Sequence, residues 1–169
     1  MISAEEWYKK FCEEYKIQKF DEWWAGLRKP SNTAWTSRMT ELLRNLALKM
    51  RYEMEYEIGT DFSWYEEGSE CHSVAIEHEN EIEGVYSDEI PKLLESGAPL
   101  KVLITYSYKR SEMEKLIKNF EEKHAKRAKE KVDEEFLLVV RRMWDEEKTV
   151  GEWIAYVFKP SALGKPHEL

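Results

Sequence analysis

Asp61, Glu77 and Glu79 are the residues of this chain whose types and spacing could do chemistry. Asp61 opens the stretch Asp61-Phe62-Ser63-Trp64. Sixteen positions later, Glu77 and Glu79 close the stretch Val74-Ala75-Ile76-Glu77-His78-Glu79-Asn80. Along a strand, residues i and i+2 share a face, so Glu77 and Glu79 point the same way and a hairpin would set Asp61 beside them. Carboxylates gathered on one patch of sheet repel one another and are costly to bury unless a cation joins them. The expected chemistry is a divalent-metal site, and all-oxygen ligands suit Mg2+ or Mn2+. Taken alone, Glu77-x-Glu79 is also the pattern of a solvated strand face; the apolar lead-in Val74-Ala75-Ile76 and the upstream Asp61 set it apart. Glu53, Glu55 and Glu57 alternate with Tyr52, Met54, Tyr56 and Ile58 and read as a plain solvated face, Glu57 being the one near Asp61. His78, flanked by two glutamates, could be a metal ligand or a proton carrier, but alternation turns it to the opposite face, where it reads as a hydrogen-bonded structural histidine. Asn80 either ends the strand or reaches substrate.

The elements that must position these acids emerge from pattern. Ser3 with Glu6 forms a capping box opening a helix through Trp7, Phe11 and Tyr15. A short helix holds Phe20, Trp23, Trp24 and Leu27, and Lys29-Pro30-Ser31-Asn32 breaks it. Trp23-Trp24 could stack on bases, but at helical spacing they read as core. Met39, Leu42, Leu43, Leu46 and Met50 form one stripe and predict a helix over 34–50 with Glu41 in its first half. Strands are predicted over 52–58, 61–65 and 72–80, with a turn at 66–70. Ser87 is placed as the cap of the next helix, with Asp88 and Glu89 in its first turn, Pro91 tolerated there, and Gly97 ending it. The apolar run from Leu100 to Tyr106 reads as a strand buried on both faces. Ser111 with Glu114 opens a helix reaching about Lys131. Strands over 136–144 and 150–158 flank a polar turn, and the tail after Pro160 reads as loose. No repeat or linker divides the chain, so 1–169 is read as one domain, with a helical N-terminal extension over 1–33 and a core over 34–160.

This order of elements, with acids at these places, resembles the PD-(D/E)xK nuclease superfamily, the restriction-endonuclease-like fold, over residues 34–106. Glu41 on the leading helix, Asp61 at the second strand and Glu77-His78-Glu79 at the end of the third carry the resemblance. It implies an α/β (α+β) fold: a restriction-endonuclease-like mixed central sheet flanked by helices, with the N-terminal helical extension and a C-terminal β-hairpin. It implies Asp61, Glu77 and the backbone carbonyl of His78 as ligands of Mg2+ (or Mn2+), with Glu41 as an outer ligand through water. Asp61, Glu77 and Glu79 would be the catalytic set of a nuclease hydrolysing phosphodiester bonds. Such an ion polarises a phosphoryl oxygen and lowers the pKa of an attacking water. The chain departs from the family at Glu79, where lysine is usual, although some restriction enzymes of the superfamily carry glutamate there and remain active. Glu79 would then ligate a second ion or orient the water. Otherwise Lys92, on the following helix, is the substitute lysine. Failing both, the resemblance implies a catalytically inactive domain acting as a nucleic-acid- or protein-binding module.

Charge bounds the partners. The net charge is −8, which argues against a generic polyanion-coating protein. From Lys109 to Lys131, however, nine Lys or Arg stand against five Glu. Lys115, Lys118, Lys126 and Lys129 lie off the buried stripe of that helix and are the candidate nucleic-acid contacts, DNA first, with Arg141-Arg142 as an addition. A solvated, ion-paired helix face is the plainer explanation of the same pattern. The family implication extends to a homodimer, since many proteins of this fold pair up to cut two strands. No apolar stretch approaches membrane-spanning length, no cationic segment leads into an apolar run at the start, and Cys12 and Cys71 announce neither a disulfide framework nor a zinc site. A reduced, cytoplasmic protein is the simplest expectation. A charged fraction of 36% with Gln18 as the only glutamine is common in heat-adapted proteins. Beside the nuclease and the inactive module stands a third class, an α+β interaction protein whose acids are surface charge.

Overall fold

Ser3 opens the first helix. Its hydroxyl accepts the Glu6 N–H at 3.2 Å, and α1 runs Ala4–Ile17. The computed structural model describes residues 2–27, 31–56, 60–127, 133–143, 151–159 and 166–169. After α1 come α2 (Phe20–Ala25) and α3 (Asn32–Lys49), the latter capped by Ser31, which accepts the Ala34 N–H at 3.2 Å. Three antiparallel strands come next: β1 (Tyr52–Tyr56), β2 (Phe62–Glu66) and β3 (His72–Glu79). The chain then crosses over through α4 (Ile82–Gly84), a π-helical turn (Val85–Glu89) and α5 (Ile90–Glu95) to reach β4 (Leu100–Ser107). A second crossover through α6 (Arg110–Arg127) leads to β5 (Glu135–Arg142), and β6 (Trp153–Phe158) and β7 (Pro166–Glu168) complete the sheet.

The result is a mixed α/β fold on one seven-stranded sheet whose order in space is the order in sequence. β3, β4 and β5 run parallel and the outer pairings are antiparallel. The parallel pairs are the ones that need helical crossovers. Trp7, Phe11, Met39, Leu42 and Leu46 cover one face, packing on Trp64, Ile76, Val102 and Val139. Ile90, Leu93, Leu116 and Phe120 cover the other, packing on Ala75, Leu103, Leu138 and Phe158. With both faces covered, every residue of β4 is buried. Alternation along β3 sends Val74 and Ile76 to the first face and Ala75 to the second. Glu77 therefore faces α5 and the π-turn, and His78 faces α3.

The fold corrects three sequence expectations. The simplest is the start of α6, which lies at Arg110 and not at Ser111. The helix after β3 begins at Ile82 and not at Ser87, whose hydroxyl donates to Asp88 Oδ2 at 2.9 Å instead of capping. The earlier start has a local cause: Glu79 Oε1 accepts the Glu81 N–H at 2.8 Å and turns the chain out of the strand at once. The tail after Pro160 is not loose throughout, because β7 pairs with β6 with His167 opposite Val157. That pairing covers backbone groups that β6 would otherwise present unpaired at the edge of the sheet. Lys29, Pro30, Glu57, Ile58, Lys129, Lys131 and the turn over 144–150 lie outside the described residues.

Candidate active site

The register of β2 on β3 sets Phe62 opposite Ile76, so Asp61 comes alongside Glu77. A specific bond fixes it there: Asp61 Oδ2 accepts the backbone N–H of His78 at 3.0 Å. Glu77 is fully buried; its carboxyl oxygens accept from no N–H or hydroxyl donor, and the groups within its reach are the Glu89 and Asp61 carboxyls, with which it can share only its own proton. Above it, the π-turn delivers Glu89, which is only 7% exposed. Lys92, three residues on, brings its ammonium to 3.1 and 3.2 Å from the two Glu89 oxygens. Three carboxylates and one ammonium thus meet between the sheet and the layer formed by the π-turn and α5. Thr105, at the β4 register position facing Glu79, is buried with an unpartnered hydroxyl.

Burial sets the electrostatics of this group. Desolvation, then the neighbouring Glu89 carboxyl and the Asp61 charge, hold the Glu77 pKa well above the ordinary carboxylate range. Asp61 is raised too, chiefly by burial, with the His78 N–H bond working against the rise. Burial alone would lower Lys92, but the Glu89 bond and the charges of Glu77, Glu89 and Asp61 lift it above its ordinary value. An ionised carboxylate sealed from water without a donor is costly, and such a group either keeps a proton or takes a cation. Lys92 and a divalent ion would compete to supply that positive charge.

The other candidates sit elsewhere or differently. Glu79 shares the Glu77 face but is partly exposed, and its carboxylate is folded back onto the loop at Glu81 and Gly84. Glu41 stands on α3, over the opposite face, ion-paired to Arg38 at 2.6 Å. Glu89 and Lys92, not Glu41, are the charges that act on Asp61 and Glu77. The His78 ring turns to the α3 side, where Nε2 meets the Tyr106 hydroxyl at 2.7 Å, and burial lowers its pKa to about 4. Its backbone carbonyl lies between the two glutamates on the strand. Asn80 donates to Thr36 Oγ1 at 3.1 Å, tying the end of β3 to α3. Trp23 and Trp24 pack against the core at its margin. On α6, Lys118 and Lys126 face outward and Lys115 lies 5.4 Å from the ring of Tyr86 in the π-turn, which puts the start of the basic helix on the Glu77 side of the sheet.

Among the described residues, no group of three or more His, Cys, Asp and Glu side chains stands ready to hold a metal ion. No protein-family model matches the chain, and no curated protein or solved structure matches it. Function therefore rests on the chemistry of the site itself. The unpartnered oxygens of Glu77 beside Asp61 fit a hard divalent cation, because such ions take oxygen ligands and supply the charge that burial withholds. Among the described residues, no helix is long and apolar enough to cross a membrane.

Glu89 is the member of the site that sequence reasoning misses. In the sequence it reads as a dipole-stabilising acid in a first helical turn. The signal that points to it is its spacing from Lys92: an i, i+3 acid–base pair on the helix after a strand ending in buried acids.

Proposed function

We infer that this protein is a metal-dependent nuclease-like phosphodiester hydrolase acting on nucleic acid, with Asp61 and Glu77 at its centre and a restriction-endonuclease-like core. The single observation that carries the reading is the fully buried Glu77 carboxyl, which has no donor and lies beside Asp61. Supporting it is the succession helix, three antiparallel strands, helix, parallel strand from α3 to β4, the order of elements on which the family resemblance rests.

Asp61 and Glu77 would hold Mg2+ or Mn2+, which when bound polarises a phosphoryl oxygen and acidifies an attacking water. The chain's own residues prepare that step. His78 orients Asp61 through its backbone N–H, which holds Oδ2 and sets the carboxylate beside Glu77. The sheet and the π-turn exclude bulk water from Glu77, so charge contacts made there are stronger than at the surface. Lys92 supplies a positive charge at the mouth of the site, in the role the resemblance gives to the motif lysine, where it would meet a non-bridging phosphate oxygen. Lys115, Lys118 and Lys126 offer phosphate contacts on the same side of the sheet.

The test is cleavage of single-stranded, duplex and branched DNA and of RNA in Mg2+ or Mn2+. Metal-dependent cleavage by wild type, lost by roughly a thousandfold or more in Glu77→Ala and Asp61→Ala, is the expected result, on the order of losing the cation altogether. Metal binding without cleavage of any substrate would make the protein a binding module instead.

A further inference from the structure

We propose that Glu89 is the third carboxylate of the cation site and that its ion pair with Lys92 is what a divalent cation replaces, releasing Lys92 toward the substrate phosphate. This rests on the nuclease reading above and adds to it a ligand, and a reason for the lysine's position.

The two partners of the pair are unequally placed. The side chain of Glu89 is 10% exposed and that of Lys92 is 43% exposed. The carboxylate is fixed among buried groups, while the ammonium reaches in from solvent on a flexible stem and can return there at little cost. Both Glu89 oxygens are taken by that one ammonium. The adjacent Glu77 oxygens receive nothing. A single positive charge therefore serves three acids, and it touches only one. A doubly charged ion lying among them would serve all three, and the fully buried, unpartnered Glu77 marks where it would sit.

The backbone gives a second line of argument. Glu89 is the last residue of the π-turn Val85–Glu89. A π-turn inserts one residue into the helical ladder and rotates the residues beyond it; such turns recur at functional sites. Here the turn carries Glu89 onto the sheet-facing side, above Glu77, where a regular helix would distribute its acids differently. Among the described residues no three acids stand ready to ligate, and Lys92 holds the third acid of this group in an ion pair. Once displaced, Lys92 remains at the edge of the site as a point charge suited to phosphate.

The experiment is Mn2+ binding to the full chain by calorimetry and by melting temperature, in wild type, Lys92→Met, Glu89→Gln and Asp61→Ala, with cleavage assayed alongside. Wild type is expected to bind Mn2+ and Asp61→Ala to lose binding. Lys92→Met should bind about tenfold more tightly, since one competing positive charge a few ångströms away is gone, and Glu89→Gln about tenfold more weakly. Lys92→Met should also cleave poorly although its site is loaded more readily. Mn2+ affinity that is unchanged or weakened in Lys92→Met, or unchanged in Glu89→Gln, overturns the proposal while leaving the nuclease reading intact. No Asp61-dependent binding in wild type overturns both. Glu89→Gln is isosteric and Lys92 is substantially exposed, so loss of fold does not confound either variant; the metal-free melting temperature of each checks this.

Discussion

Arg141 and Glu77 are both ionisable side chains sealed inside the protein, on opposite faces of one sheet, and their surroundings differ. Arg141, on β5, gives Nη2 to Asp21 at 2.8 Å and Nη1 to the Tyr15 hydroxyl. Its guanidinium carbon stands 4.9 Å from the ring of Trp35 and 5.7 Å from those of Tyr15 and Trp153. Only Nε lacks an acceptor. Glu77, on β3, has no donor at all, and its nearest charges are two more acids and a lysine committed to one of them. A buried charge whose partners are in place fixes structure: Arg141 binds α1 and α2 to the sheet. A buried carboxyl without a donor keeps its proton until a cation replaces it. On the proposed reading the aromatic face serves stability and the acidic face cation binding, and substitutions on each face test that division.

The largest effect should come from Arg141→Met. It removes one partner of a buried pair and leaves the Tyr15 hydroxyl and Asp21 without their cation, at a cost of about 3 kcal/mol in urea unfolding. Cation binding at the other face should persist in the folded protein. A loss below about 1 kcal/mol would remove the structural role given to the aromatic face.

Glu77→Gln should move stability the other way. Burial and the neighbouring acids raise the Glu77 pKa from its ordinary 4.5. Above that value the unfolded chain has released the proton that the folded protein still holds, so the contribution to stability is complete at acid pH and declines as pH rises toward the folded pKa. Asp61, raised mainly by burial, acts with the same sign. His78 acts oppositely, because its lowered pKa costs stability only as pH falls below its ordinary 6.5 toward about 4. Between about pH 7 and 9 Glu77, raised to about 10, therefore dominates. Metal-free wild type should lose stability across that range, by up to about 1.4 kcal/mol per pH unit from Glu77. Glu77→Gln should be flatter and about 1–2 kcal/mol more stable near pH 8.5. Saturating Mg2+ should flatten the wild-type profile and leave the variant unmoved. A Glu77→Gln protein less stable than wild type at that pH would class Glu77 with Arg141.

Tyr106→Phe tests whether the two faces are independent. The Tyr106 hydroxyl accepts from Trp35 Nε1 and meets His78 Nε2, so its removal strands two buried nitrogens and should cost about 2 kcal/mol. Mn2+ affinity should stay within about threefold of wild type, the scatter expected if the sheet carries no strain between its faces. A larger drop would mean that the His78 ring governs Asp61 through the intervening backbone, since the same residue's N–H holds that carboxylate.

Legibility in the sequence tracks how local each cause is. β3 and β4 are visible because apolar residues leading into Glu77 and filling Leu100 to Tyr106 leave few other ways to be buried. Asp61 and Glu77 are visible as a pair for the same reason, since the strand period fixes their faces. Glu89 is hidden because nothing in the side chains of Val85 to Glu89 announces a π-turn; Val85 and Ile90 join the same buried cluster as Leu103, as residues of a regular helix would. Ser87 misleads because a good capping residue inside a helix looks the same in sequence as one at its start. β7 is hidden because three residues carry no period, and its existence depends on the open edge of β6. Lys92 can be named from chemistry, but only its distance from Glu89 ties it to the site.

The smallest effect should be that of Gly84→Ala, and it decides between Glu79 and Glu89. Gly84 has helical backbone angles, so alanine there gains about 0.5–1 kcal/mol of helix propensity. The added Cβ would stand 2.7 Å from Glu79 Oε2, so that carboxylate must swing away and release the Glu81 N–H, which gives back about as much. Net stability should stay within about 0.5 kcal/mol of wild type. If Asp61, Glu77 and Glu89 are the ligands, displacing Glu79 leaves Mn2+ affinity within about twofold, because no ligand has moved. A change of about tenfold in either direction would make Glu79 a ligand, and the acids of the strand rather than the acid of the π-turn would then define the cation site.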